Sequence, residues 1–249
     1  MNSIDEDLKL KIISGKPILL EKSNCFFHHR TIEEVIDFGL TEFLKIIQLF
    51  EFSSEELQKD FEFPIDNFFY LLLNLNNQTQ LSSLIEKGFY FFIGVNNLQP
   101  DLQNRILVCS YKELDNIEIN SEGFNEILKY IKIIYDGNQK EQDDDSNLSE
   151  AERRMKEKFK KKRQEREKAK NDKDKIGFSD LIGGFISKNF NMDFEATMKL
   201  PYYTFYFLLE KLKNTDMYDI QLRAAMAGAD MKNEKMRHWL ANTDNDEEE

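Results

Sequence analysis

The sequence predicts an α+β amino-terminal domain, a charged connector helix and a small all-α carboxy-terminal domain. Three observations carry this expectation. The spacing of apolar residues changes from alternation to helical at Thr31. An acidic stretch and then a basic one, both poor in apolar residues, divide the chain near its middle. Beyond residue 176 only helical spacing occurs. The predicted organisation is residues 1–136 as the α+β domain, with a small antiparallel sheet and several helices. Residues 137–175 are an acidic linker plus connector helix, 176–241 a helical module, and 242–249 an acidic disordered tail.

Leu8-Lys-Leu-Lys-Ile12 alternates apolar and charged residues and reads as a strand. With the break at Gly15-Lys-Pro17 and a resumption at Ile18–Leu20 it predicts a hairpin. Asn24–His29 supplies a third short strand. Thr31 and Glu34 form a capping box, followed by Ile32, Val35, Ile36, Phe43, Ile46, Ile47 and Phe50 on one helical stripe. Gly39 lies on that stripe, which predicts either a close neighbour or a kink. Ser53 and Glu56 repeat the cap before a short helix ending ahead of Pro64. Phe68–Leu75 is apolar all round and belongs in the middle of the domain. Leu81, Leu84 and Ile85 mark a helix ending near Gly88, and Phe89–Val95, Arg105–Ser110 and Ile117–Asn120 read as strands. Phe124, Ile127, Leu128, Ile131, Ile134 and Tyr135 then share one helix face.

Ser149 and Glu152 cap the connector, and Ser149–Lys175 holds 13 Lys and Arg against 7 Asp and Glu. The whole chain is −12, so the remainder sums to −18. Opposite charges four residues apart, as in Glu150/Arg154 and Glu157/Lys161, support a solvated helix roughly 40 Å long. In the last module Phe178, Leu181, Ile182, Phe185 and Ile186 form a stripe, and Gly183-Gly184 predicts a close approach. Pro201 suits a first turn, with Tyr202, Phe205, Tyr206, Leu209 and Leu212 as the inner face of that helix. Asn214-Thr-Asp216 reads as the start of a third helix carrying Ile220, Ala224, Ala227 and Gly228, whose small residues favour tight packing. Trp239 closes the module.

Hydrophobic residues make up 41% of the 249, with 21 Phe against one Trp. The apolar runs are too short to span a membrane, which takes about 20 residues. An acidic start, MNSIDEDLK, is unlike a secretory signal, so the chain is expected to be soluble and intracellular. Cys25 and Cys109 read as reduced buried thiols. Cys25, His28 and His29 are the one cluster with metal-ligand chemistry, with Cys109 and His238 as further soft donors. Alternation puts Cys25 and His28 on opposite strand faces, so the expectation is no metal, no cofactor and no catalytic residues. Lys158, Lys160, Lys161, Lys162 and Arg163 form a basic patch. Interleaved acids and acidic flanks argue against nucleic acid as its partner.

The order of parts resembles a known family. An NSEGFNEILKYIKIIY passage, a DDD linker and an SEAERRMKEKFKKKRQ helix lead to GFSDLIGGFISKN…MKLPYYTFYFLLEKL…YDIQLRAAMAGAD…W. This is similar to tailed-bacteriophage proteins of low-GC hosts, encoded near the tape-measure gene and described as tail assembly chaperones. The resemblance implies a non-enzymatic factor that binds the tape-measure protein, the tail-tube protein or both, with self-association a further expectation. It implies partner contacts at Tyr202, Tyr203, Phe205, Tyr206, Tyr218, Met226, Gly228 and Trp239. A structural tail or baseplate component is the alternative, and a nucleic-acid binder using the basic helix a further one.

Overall fold

The structure is a computed structural model and describes residues 6–51, 57–58, 64–111, 114–135, 176–189 and 192–228. It mixes helices with two small antiparallel sheets. The chain divides by packing into two units, residues 1–137 with 198–249, and residues 138–197. The predicted short helix after Ser53, the connector Ser149–Lys175 and the tail lie largely or wholly outside the described residues.

The first element is a helix, α1 (Glu6–Ile13), and not the expected strand. Leu8 and Ile12 stand four apart, so an L-K-L-K-I run serves a helix face as well as a strand face. Only Ile12 is buried, while Leu10 is 55% exposed. Glu6 and Asp7 in the first turn and Lys11 in the last complement the helix dipole. The hairpin therefore forms one element later, between β1 (Ile18–Leu20) and β2 (Cys25–Phe27), with Ile18 opposite Phe27 and Leu20 opposite Cys25. Those four side chains are buried, and the Leu19–Phe26 pair faces outward.

The capping box forms as predicted at the start of α2 (Ile32–Phe38): the Glu34 N–H donates to Thr31 Oγ1 at 3.1 Å and the Thr31 N–H to Glu34 Oε2 at 2.8 Å. Gly39 then breaks the stripe. Its φ of 97° is one that side-chain-bearing residues rarely adopt, and no atom of the described residues lies within 4 Å of a Cβ built there. The turn, and not a close neighbour, explains this glycine. Beyond it α3 (Leu40–Glu51) buries Phe43, Ile46, Ile47 and Phe50.

α4 (Asn67–Asn76) buries Phe68, Leu71, Leu72 and Leu75, and α5 (Gln80–Ile93) follows. Here the expectation of a stop at Gly88 and a strand from Phe89 fails. α5 runs on through FYFFI and ends at Gly94, whose left-handed φ of 70° caps it. An apolar run of that length carries no period of its own. Gly88 is there for space: a Cβ would sit 2.8 Å from Ile46 Cγ2 and 2.9 Å from Phe50 Cε2. The strand register starts later, in β3 (Val95–Asp101), β4 (Ile106–Tyr111) and β5 (Leu114–Ile119), ordered β3-β4-β5.

α6 (Ser121–Tyr135) buries the whole predicted stripe. The β1–β2 turn rests on its start, where the Glu126 carboxylate accepts the Glu21 and Lys22 N–H groups at 3.3 and 3.0 Å. A continuous aromatic interior results: Phe68 to Phe124 (5.7 Å between centroids), Phe124 to Phe89 (6.2 Å), Phe89 to Phe50 (5.7 Å), Phe50 to Phe92 (6.2 Å) and Phe92 to Tyr135 (5.2 Å).

The second unit contains α7 (Phe178–Lys188), which buries Ile182 and Phe185. Among the described residues nothing lies within 4 Å of a Cβ at Gly183 or Gly184, so none of them makes the close approach expected there. α8 (Phe194–Met198) is an element that the spacing does not predict. It starts at Asp193, whose carboxylate accepts the Ala196 N–H at 2.7 Å. α9 (Tyr202–Met226) then runs unbroken through Asn214-Thr-Asp216. These residues prefer caps because their side chains bind nearby backbone. Here the Thr215 hydroxyl donates to the Lys211 carbonyl at 2.9 Å and the helix continues.

Gly88→Ala tests the α3–α5 contact. Alanine gains about 1 kcal/mol in helix propensity, but overpacking a closed site costs about 1–3 kcal/mol, and both neighbours are buried. The expected outcome is a net destabilisation, read as a lower urea midpoint at unchanged slope.

Candidate functional site

The residues predicted to bind a partner fall into two groups, the first at the start of α9. Tyr202 and Phe205 are buried, and Tyr203 and Tyr206 are half-buried. They begin α9, which closes the first unit. The Tyr202 N–H donates to the Arg30 carbonyl at 2.7 Å, and the Ile32 N–H to the Leu200 carbonyl at 3.0 Å. Thr31 and Pro201 thereby form an antiparallel bridge. The Thr204 hydroxyl donates to the Ile13 carbonyl at 2.6 Å. The Tyr202 ring sits 5.3 Å from Phe43 and 5.5 Å from Tyr135, with Tyr206 4.8 Å behind it. Burial and the Tyr206 hydroxyl both push the Tyr202 phenol up, so it stays neutral.

Arg30 organises the floor beneath. Its Nε donates to the Phe91 carbonyl, its Nη1 pairs with Glu34 at 2.8 Å, and its guanidinium lies 4.9 Å above the Phe91 ring. Burial would raise the Glu34 carboxyl, but the Thr31 N–H and Arg30 outweigh it and hold it below its usual range. The Tyr135 hydroxyl accepts the Arg30 N–H at 3.3 Å. Nothing in the residue pattern signals this strap, because its main bonds use backbone atoms common to every residue.

The second group of predicted residues is accessible. Tyr218 is half-buried and Gly228 exposed, while Met226 is 81% exposed. Met217, Ile220 and Leu222, which the resemblance does not mark as binding residues, are exposed beside them, Ile220 at 67%. Gly228 turns the chain at φ 86°, and among the described residues nothing lies within 4 Å of a Cβ built there, so none of them packs tightly on it as the small-residue run predicts. Trp239 and the patch Lys158, Lys160, Lys161, Lys162 and Arg163 lie outside the described residues.

The metal-ligand cluster resolves differently. Burial pushes the Cys25 and Cys109 thiols up to about 12, and the Glu126 carboxylate near Cys25 and the neighbouring Cys25 thiol near Cys109 add to the rise. Neither is a thiolate at neutral pH, the form that binds metal or attacks. Among the described residues no group of three or more His, Cys, Asp or Glu could hold a metal ion. His29 is half-buried with its edge toward Phe27, centroids 6.2 Å apart, and neither ring nitrogen has a hydrogen-bond partner among the described residues. Burial, then the neighbouring His28, lowers its pKa from 6.5 to about 4. A surface hollow of about 380 Å³ lies over Asp66, Phe69 and Arg105, and the Arg105 guanidinium is already paired with Asp66.

The fold and these surfaces define a protein of mixed helices and small antiparallel sheets with an aromatic interior and one helix end rich in exposed apolar side chains. Among the described residues no helix is long and apolar enough to cross a membrane. Residues 168–244 match the model of a family described as YomV second domain. That family name is phage-derived, from a Bacillus prophage, which is consistent with a phage protein. No curated protein and no solved structure matches the chain.

His29 sets an acid limit on stability. The unfolded chain takes up a proton near pH 6.5 and the folded chain only near 4, so the unfolded state binds more protons between those values. Stability should therefore fall as pH drops from 6.5 to 4. His29→Phe should flatten that part of the curve, measured by thermal melts across the range.

Proposed function

We propose that the chain is a non-enzymatic assembly factor of a phage tail, binding the tape-measure protein or the tail-tube protein during morphogenesis. One observation carries this reading. Met217, Ile220, Leu222 and Met226 stand exposed on the distal part of α9, while the start of the helix is fixed in a folded unit. Met217 and Ile220 lie on one side of the helix and Leu222 and Met226 on the other, an arrangement that suits apolar partner helices packing on both sides of it. A tape measure, long and helical with apolar faces uncovered until the tube closes, offers such helices. The net charge of −12 keeps a protein with exposed apolar surface in solution. The phage-derived family name and the resemblance to tail assembly chaperones support the same reading.

The test is co-expression with the tape-measure protein and capture on the tagged chain. Ile220→Asp with Met226→Asp should cut captured client by about tenfold or more, since central apolar anchors each exceed about 1 kcal/mol. The melting temperature should not move, because both side chains are exposed in the free protein. Undiminished capture would remove α9 as the client surface. Retention of the chain in purified virions would favour a structural tail component instead.

A further inference from the structure

The sulfur atoms of the described residues fall into three environments. Cys25 and Cys109 are free thiols at 0% exposure. Burial holds both up at about 12, so neither presents the accessible thiolate that peroxides attack. Met192 and Met198 are half-buried. Met217 and Met226, on the distal part of α9, are exposed at 51% and 81%. A thioether needs no deprotonation to react, so access ranks the methionines, and it puts these two first.

Their positions on the helix add a consequence. Helical spacing puts Met217 beside Ile220 on one side of α9 and Met226 beside Leu222 on the other. These four are the exposed large apolar side chains of α9. Each apolar side therefore consists of one methionine and one branched aliphatic residue. Methionine suits such a surface because its unbranched thioether chain adapts to partners of varied shape. The same sulfur is the point of attack. Its lone pair takes one oxygen of hydrogen peroxide as the O–O bond breaks. An S–O bond forms, and the proton of the transferred oxygen leaves with the departing hydroxide as water. The sulfur gives up two electrons and the peroxide receives them. The sulfoxide is polar where the thioether was apolar, and an apolar partner helix leaves its oxygen without a hydrogen bond.

We propose that Met217 and Met226 are an oxidation-sensitive pair through which a peroxide turns off the binding of apolar partner helices at α9. The switch rests on α9 being the client surface, whereas which sulfur atoms react first depends only on access. One sulfoxide on each side of the helix disables both sides. The interior that encloses the two cysteines is untouched, so the oxidised chain stays folded and loses its client.

The full chain is treated with dilute hydrogen peroxide, and peptide masses are followed with time. Met217 and Met226 should each gain one oxygen at least roughly threefold faster than Met192 or Met198, and before either cysteine is modified. Equal rates at these four methionines, or earlier oxidation of Cys25 or Cys109, would overturn the assignment. The near-ultraviolet aromatic signal should persist, and its loss would mean that the interior is attacked, which overturns it equally. With the peroxide removed, the oxidised chain should capture about tenfold less untreated tape-measure protein than before; undiminished capture would overturn the switch. Met217→Leu with Met226→Leu keeps apolar side chains of similar volume, so this variant should capture equally well with and without peroxide treatment. A loss of capture there too would place the sensitivity elsewhere and overturn the proposal. An untreated chain that captures nothing would overturn the client reading and the switch with it, while the order of oxidation is decided by the peptide masses alone.

Discussion

The interaction on which the first unit depends is the closure of its aromatic interior by a ring from far along the chain. Rings from α3, α4, α5 and α6 form one connected run from Phe68 to Tyr135, and Tyr202 adds the last member against Phe43 and Tyr135. Phenylalanine suits this role because each ring buries a large area and offers edge and face to several neighbours. Packing rings this densely needs space elsewhere. Gly88 lets α5 come down onto Ile46 and Phe50, and Gly123 makes room for Ser23 of the β1–β2 turn, whose Oγ would be 2.2 Å from a Cβ there. The many phenylalanines and the buried glycines are two sides of one packing solution.

Much of this fold is legible where local chemistry and period agree. The Thr31–Glu34 box, the α6 stripe and the buried centre of α4 are each fixed by residues within one or two turns. The errors fall where one local pattern serves two structures. Leu8–Ile12 satisfies both periods, and burial of Ile12 alone decides for a helix. Gly88 looks like a terminator until Ile46 and Phe50 are placed against it, and those lie on α3, far back in the chain. Asn214-Thr-Asp216 has cap chemistry, yet Thr215 bonds back into its own helix. The destination of Tyr202 and Phe205 is the least legible. Their spacing correctly marks an inner face, but spacing cannot say whose interior it faces.

The candidate site divides on the same grounds. Aromatic residues at helical spacing suit a binding surface and a core equally, and the structure packs Tyr202 against Phe43, Tyr135 and the Arg30 carbonyl. The later part of the helix lacks a continuous apolar face. Asp216, Asp219 and Arg223 interrupt the side that Phe205 and Leu212 begin.

α9 is anchored at its start and more open further along. Tyr202, Thr204 and Phe205 are buried, Tyr206–Leu209 and Leu212 are half-buried, and Met217, Ile220 and Met226 are exposed. From Tyr206 to Met226 the helix extends about 30 Å at 1.5 Å per residue, so whatever binds near Met226 sits well away from Tyr202. The charged and titratable groups near the buried start are settled within the unit, with Arg30 held by Glu34 and the Phe91 carbonyl and His29 kept neutral by burial. The two ends of one helix therefore meet different demands: the first completes an interior, and the second leaves apolar side chains in solvent.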